Sequence, residues 1–155
     1  MLRLIRRCES FVDGYREYCK EFYENDVKWF RPGRMGEQQS DLCSATSPTN
    51  PETIDESWFE RTAGWYEQKE LGIVPGQPQS IHYWAVDGER FIGEFQLRPE
   101  LTEGVMQGMG SVGYSVRVTE QGKGYGQEIL RQGMDRITVT EDGEEQCIRR
   151  YWMFL

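Results

Sequence analysis

The strongest constraint on the fold is the segment 113–126, which reads Gly-Tyr-Ser-Val-Arg-Val-Thr-Glu-Gln-Gly-Lys-Gly-Tyr-Gly. Its pattern predicts a short strand, a glycine-rich turn and the first turn of a helix. Gly122, Gly124 and Gly126 have no Cβ, so the backbone there can turn tightly and approach a ligand. The following helix directs its unpaired N–H groups and positive dipole end at the same turn. Because such a turn binds phosphate, the segment predicts a nucleotide-like ligand.

The 155-residue length fits a single domain, and we expect one domain over the whole chain. A short strand at residues 2–5 precedes a helical pattern that begins near residue 9, with Ser10 as its N-cap. Asn50 and Pro51 are typical of the start of a second helix, which ends at about Gly72. The order of elements indicates an α+β fold rather than regular alternation of strands and helices.

The second half of the chain predicts an antiparallel set of strands. Asp87-Gly88 is typical of a two-residue hairpin turn, and it joins apolar runs at 81–86 and 91–97. A third strand is expected at 112–116, and the helix after the glycine turn at about 125–136. Asp142-Gly143 predicts the tip of a final hairpin in the apolar tail.

Composition excludes several classes of function. A formal net charge of -8 and a pI of about 4.8 argue against a general nucleic-acid binder, which needs a basic face. Acidity aids solubility, and it is also compatible with a cationic substrate such as an amine. No long apolar run predicts a membrane span, and the first residues are too charged for a signal peptide.

The cysteines and the histidine argue against a metal site. The four cysteines contain no C-x-x-C pair, and the single histidine, His82, does not complete a zinc site with them at any usual spacing. Reduced thiols in a cytoplasmic protein are therefore expected.

Two common phosphate-binding motifs do not fit the glycine turn. A P-loop needs Ser or Thr after Lys123, and Gly124 follows instead. A dinucleotide fingerprint needs glycine at position 127, where Gln127 stands, and it needs a parallel βαβ unit rather than a meander. The glycines could also serve only to start the helix.

The motif Gln121-Gly-Lys-Gly-Tyr-Gly126 resembles the Gln/Arg-x-x-Gly-x-Gly/Ala signature of the GNAT superfamily of acyl-CoA-dependent N-acetyltransferases. Segment 113–117 is similar to the family's fourth strand, and 128–134 to its third helix. Segment 83–94 is similar to its β2–β3 hairpin, and 149–152 to the closing strand of a branch of uncharacterised bacterial acetyltransferases. The resemblance implies a GNAT-like mixed, mostly antiparallel sheet flanked by helices.

The resemblance also implies how acetyl-CoA binds. In the family, the backbone N–H groups of the turn hold the pyrophosphate; here they belong to Gln121, Gly122, Lys123, Gly124, Tyr125 and Gly126. The Lys123 ammonium could add a contact to a phosphate or remain a solvated surface group. Tyr114 and Val116 match positions whose backbone pairs with the pantetheine arm. A bulge in this strand is expected to splay it from its neighbour.

The tail departs from the family pattern. After the third helix, relatives have a strand, a helix and two more strands, whereas the residues after 137 suffice only for a hairpin. We therefore expect a shortened C-terminal part that lacks one strand and the fourth helix, which often carries a tyrosine acid. The loss would expose an apolar flank, so a homodimer built on the tail hairpin is predicted.

The resemblance implies transfer of an acetyl group to a primary amine, on a small molecule or a protein, without a metal. Glu94 is our candidate for the general base or the amine anchor, and an ordinary exposed carboxylate is the alternative. The backbone N–H of Val116 would polarise the thioester carbonyl. Without the fourth helix, the protein could instead bind acyl-CoA without turnover, or persist as a dimerising fold that binds no CoA.

Overall fold

A computed structural model describes residues 1–25, 50–100 and 112–136 of the chain. Over these residues the fold is α+β, as predicted. A four-stranded antiparallel sheet has the order β1-β2-β3-β4, so each strand lies beside its neighbour in sequence. The strands are β1 Leu2–Ile5, β2 Ile81–Asp87, β3 Arg90–Leu97 and β4 Val112–Val116. The helices are α1 Val12–Glu24, α2 Glu56–Leu71 and α3 Tyr125–Asp135.

Helices cover both faces of the sheet. α1 buries side chains three and four positions apart, which form one apolar stripe: Val12, Tyr15, Tyr18, Cys19 and Phe22. This stripe packs with Trp58 of α2 against Trp84 and Phe91 of the sheet. On the opposite face, Ile129 of α3 packs against a second cluster that includes Ile92 and Phe95.

The first two helices begin later than the sequence predicts. A 3-10 turn at Glu9–Phe11 precedes α1, and no side chain caps the helix, so Ser10 is not its N-cap. Asn50 does accept a hydrogen bond from the Glu52 N–H at 3.0 Å, but it caps another 3-10 turn, Pro51–Thr53. Ile54 then adopts an extended conformation with its side chain fully buried in the core, and Asp55 caps α2.

The predicted hairpin joins β2 and β3, with its turn one residue later than expected. Asp87 pairs with Arg90 inside the ladder, so the turn residues are Gly88 and Glu89. Gly88 has a φ of 60°, which glycine adopts without strain. The Asp87 carboxylate accepts a hydrogen bond from the Tyr125 hydroxyl at 2.8 Å, which fixes the start of α3 to this end of the sheet.

β3 contains the bulge that was predicted for the strand at 112–116. Ala85 pairs with Gly93 and Val86 with Phe91, so Ile92 is an extra residue on β3. β4 pairs regularly with β3 from Val112 to Val116, so the bulge predicted for β4 is not found in this pairing. Side chains alternate along a strand, so residues 91 and 94 would otherwise lie on opposite faces. The extra residue places both on the face that α1 covers.

Gly93 allows β4 to lie close to the bulge. A Cβ at position 93 would overlap the carbonyl oxygen of Ser115 on β4. The Arg117 N–H continues the pairing beyond Val116 by donating to the Ile92 carbonyl at 2.8 Å. The bulged residue is thus part of the contact between β3 and the end of β4.

α3 also satisfies the outer edge of β1. The Gln132 side chain accepts from the Leu4 N–H at 3.2 Å and donates to the Leu2 carbonyl at 2.8 Å. These are the two bonds that a neighbouring strand would make. The amide side chain therefore covers the backbone groups that β1 would otherwise leave open.

The shortened C-terminal part, the hairpin at Asp142-Gly143 and the homodimer contact that depends on it lie outside the described residues. In the part of the chain that is described, none of the helices is both long and apolar enough to cross a membrane.

Replacing Gly93 with alanine is expected to lower the free energy of unfolding by about 2 kcal/mol or more, because backbone must move to admit the Cβ. Gly64 offers a matched control in α2, where a Cβ meets nothing within 4 Å. Gly64→Ala should raise the stability by roughly 0.5–1 kcal/mol. Urea denaturation measures both changes; equal effects of the two substitutions would contradict the close approach at Gly93.

Candidate functional site

The glycine turn has the backbone conformation that the sequence predicts. Gly122 and Gly124 have φ values of 79° and 87°, in the left-handed region that favours glycine. A Cβ at either position would meet nothing within 4 Å, so conformation rather than crowding requires the glycines. The described residues therefore leave the space outside the turn open.

α3 begins at this turn without a side-chain cap. Gly124 is the N-cap residue, and the first helical hydrogen bond runs from the Glu128 N–H to the Gly124 carbonyl at 3.3 Å. The N–H groups of residues 125–127 therefore have no intrahelical acceptor. They lie at the positive end of the helix dipole, where an anion is stabilised.

The edge of β4 lies beside the turn. Because the Arg117 N–H donates to the Ile92 carbonyl, Gly93 and Val116 form a pair without mutual hydrogen bonds. The backbone groups of Tyr114 and Val116 therefore point away from β3. The Val116 carbonyl accepts from the Gln121 side chain at 3.0 Å, as this orientation requires.

The predicted cofactor-binding residues thus form one continuous surface. A Cβ at Gly126 would lie 3.4 Å from the Tyr114 ring, so the first turn of α3 packs closely on β4. Backbone donors of the turn and outward-facing backbone groups of β4 lie side by side. The Gln121 N–H, which was predicted to bind pyrophosphate, donates instead to the Val118 carbonyl at 3.4 Å. An elongated ligand could occupy both, with an anionic group at the turn.

Two side chains of the motif have structural partners of their own. The Lys123 ammonium lies 3.0 Å from a carboxylate oxygen of Glu120, and Arg90 lies 2.6 Å from the other oxygen. The Tyr125 hydroxyl is bound to Asp87. The exposed Lys123 ammonium has three N–H donors, so it could contact a phosphate while one of them remains on Glu120.

Glu21 connects α1 to the segment before the turn. Its carboxylate accepts from Arg117 Nε at 2.9 Å and from the N–H and hydroxyl of Thr119 at 3.2 and 3.0 Å. Burial alone would raise the pKa of Glu21, but these bonds hold it below the usual value. Sequence reasoning did not identify Glu21 or Arg117, since the contact joins positions that no local pattern relates.

Glu94 lies on the opposite face of the sheet from α3 and is not an exposed carboxylate. It is half-buried, and the Tyr18 hydroxyl lies 3.1 Å from Glu94 Oε2 and 2.5 Å from the hydroxyl oxygen of Ser115. Burial raises the pKa of Glu94 to about 7, although hydrogen bonds from Tyr18 and neighbours oppose the increase. A carboxyl group with this pKa can take up or release a proton near neutral pH.

The structure brings Glu94 near the cofactor-binding surface without bringing the two into contact. Glu94 pairs with Ser115, which lies between Tyr114 and Val116 on β4. Val116 packs towards α3, whereas Glu94 faces Tyr18 of α1. The carboxylate and the glycine turn are therefore on opposite sides of the same strand pair.

Arg7, which the sequence analysis did not single out, lies on the face of the sheet that α1 covers. Glu94 lies on the same face, which is called the Glu94 face below. The Arg7 guanidinium carbon is 3.7 Å from the centroid of the Tyr66 ring and 4.7 Å from that of Phe59, and Arg7 donates to the Thr62 hydroxyl at 2.8 Å. Burial lowers the pKa of Arg7, while Glu94 is one of the negative groups that raise it. No local pattern around Arg7 indicates this position.

His82 does not supply a base at neutral pH. Burial, together with nearby cationic groups, lowers the pKa of His82 to about 3. Over residues 1–25, 50–100 and 112–136, no group of three or more His, Cys, Asp and Glu side chains could hold a metal ion.

Comparisons of the chain with protein-family models, with curated proteins and with solved structures find no match. The geometry of the glycine turn, the β4 edge and Glu94 therefore carries the functional argument.

The raised pKa of Glu94 makes stability depend on pH. Between the ordinary glutamate pKa of 4.5 and about 7, the folded chain keeps a proton that the unfolded chain has released. Glu94 therefore costs stability as pH rises through this window, with the full cost above it. The free energy of unfolding of Glu94→Gln should therefore increase relative to that of the wild type by about 3 kcal/mol between about pH 4 and pH 8.

Urea denaturation at several pH values measures this difference. Glu89→Gln is the matched control, since it removes an exposed carboxylate from the hairpin turn. A wild-type minus Glu94→Gln difference that stays constant with pH would contradict the buried position of Glu94.

Proposed function

We propose that this protein transfers the acetyl group of acetyl-CoA to a primary amine of a small molecule or a protein. The observation that carries the proposal is the position of an uncapped glycine turn beside the outward-facing backbone of β4. The turn suits a diphosphate, and the strand edge suits an extended arm that pairs as a neighbouring strand would. Half-buried Glu94 on the same strand pair suits proton transfer.

The residues present fit acetyl-CoA at two points. Gly122 and Gly124 leave open space outside a turn whose N–H groups, with those of residues 125–127, could surround two phosphates. The N–H and carbonyl of Tyr114 and the N–H of Val116 could pair with the amide groups of the pantetheine arm. The Val116 carbonyl is already bound to Gln121, so that oxygen is not available unless the side chain moves.

Acetyl-CoA supplies a thioester carbon to which the amine nitrogen bonds as the C–S bond breaks. Glu94, in its ionised form, accepts the proton that leaves the amine nitrogen. One proton leaves the amine nitrogen and one is gained by the CoA sulfur, so the products are the amide and the free thiol. The reaction therefore needs no oxidant or other reactant. The Val116 N–H is directed outward from β4, where it could stabilise negative charge on the thioester oxygen.

A protein that binds acyl-CoA without turnover is the alternative, and the same surface supports it. The two functions differ in the role of Glu94, which only the transferase needs. Release of the thiol in the presence of polyamines, aminoglycosides or amino acids would distinguish them. The homodimer remains a prediction that light scattering at micromolar concentration can test.

Replacing Gly124 with alanine is expected to weaken CoA binding by at least about tenfold, because φ must leave the left-handed region and rearrange the turn. Gly76 is a matched control, with a φ of 71° and no atom within 4 Å of an added Cβ. Gly76→Ala should cost similar backbone strain and leave CoA affinity unchanged. Isothermal titration calorimetry with CoA measures both, and undiminished binding by Gly124→Ala would refute the turn as the phosphate site.

Replacing Glu94 with glutamine is expected to lower the acetylation rate by about 100-fold, since glutamine cannot accept the proton. The wild-type rate should increase with pH through about 7, where Glu94 ionises. This inflection should be absent from Glu94→Gln. Thiol release measured against pH tests both, with Glu89→Gln as control; a Glu94→Gln rate equal to wild type would remove Glu94 from the mechanism.

A further inference from the structure

Two buried N–H donors on the Glu94 face have no hydrogen-bond partner within the described part of the chain. They are Arg7 Nε and Trp58 Nε1. Leaving a buried donor unpaired costs about 1–3 kcal/mol, so native structures leave few of them. Both groups donate and neither accepts, so the missing partner is a hydrogen-bond acceptor.

Among the residues that the structure describes, Arg7 is a cation without an anionic partner of its own. Its guanidinium rests against Tyr66 and Phe59 and donates to the neutral hydroxyl of Thr62. Within residues 1–25, 50–100 and 112–136, no carboxylate forms an ion pair with Arg7. Arginine stays charged and presents a planar fork that matches a carboxylate, so an anionic ligand complements this position.

Glu94 and Arg7 flank the same indole ring. Trp84 lies directly opposite Glu94 in the β2–β3 pair, and the Arg7 guanidinium carbon is 5.7 Å from a Trp84 ring centroid. Each charge influences the other, yet the two do not form an ion pair. Opposite charges held apart on one face complement a molecule that has both an ammonium or amine group and a carboxylate.

We propose that the acceptor is an ω-amino carboxylate, with its amine at Glu94 and its carboxylate at the Arg7 guanidinium. This rests on the proposed acetyl transfer and narrows its acceptor from any primary amine to one that carries an anion several bonds away. Arg7 and Glu94 are half-buried rather than sealed, whereas the Trp84 side chain is fully buried. The ligand therefore reaches the two charged groups from the solvent side.

Calorimetric titration of the wild-type protein, without cofactor, tests the proposal with three matched probes: 5-aminopentanoate, pentylamine and pentanoate. 5-Aminopentanoate should bind at least about tenfold more tightly than either compound that lacks one charged group. 4-Aminobutyrate and 6-aminohexanoate should show which spacing fits best. Equal affinity for pentylamine, or no binding by any of the amino carboxylates, overturns the proposal.

Substitution assigns the carboxylate contact. Arg7→Gln should reduce the affinity for 5-aminopentanoate by at least about tenfold and leave weak pentylamine binding unchanged. Arg6→Gln is the control, because Arg6 is exposed and pairs with Glu70. Undiminished binding of 5-aminopentanoate by folded Arg7→Gln overturns the assignment of the carboxylate to Arg7. If Arg7→Gln does not fold, the wild-type titrations with 5-aminopentanoate, pentylamine and pentanoate decide.

The outcome is separable from that of the proposed function. Thiol release with amines that lack a carboxylate, at rates equal to those with 5-aminopentanoate, retains acetyl transfer and refutes the acceptor class. Binding of 5-aminopentanoate without any thiol release retains the acceptor site and refutes the transfer.

Discussion

One extra residue in β3 determines how the two halves of the candidate site are arranged. With Ile92 inserted, Phe91 and Glu94 face the same helix, and Phe91 can close the core while Glu94 reaches Tyr18. The same irregularity brings the end of β4 against Gly93 and fixes which backbone groups of β4 point outward. A regular β3 would turn either Phe91 or Glu94 to the other face.

Local signals were sufficient for much of the fold. The Asp87-Gly88 pair, the glycine turn and the apolar stripe of α1 each act within a few residues, so their elements could be predicted from the sequence. The exceptions are places where packing overrides local preference. Ile54 has its side chain fully buried and an extended backbone where the sequence predicts helix, and the bulge lies in β3 beside the close approach of β4 to Gly93.

The candidate site likewise has one part that local sequence predicts and another that depends on contacts between distant residues. The turn and the strand edge are contiguous in sequence, so their residues could be named in advance. Glu94 could be named as a candidate, but not its environment, because Tyr18 lies 76 positions away and Ser115 reaches Tyr18 across 97 positions. Arg7 was not predicted at all, since its contacts come from α2, which no pattern near Arg7 specifies.

The pairing of a buried arginine elsewhere in the chain indicates the role of the Glu94 face. Where a buried arginine has only a structural role, the fold pairs it completely: Arg117 donates to Glu21 and to the Phe91 carbonyl. Arg7 and Glu94 share a face and influence one another, yet among the described residues no carboxylate forms an ion pair with Arg7 and no cation forms one with Glu94, at a cost in stability. A fold that can pair such groups and does not is expected where the groups act on a ligand, because binding needs donors and acceptors that the protein has not already used.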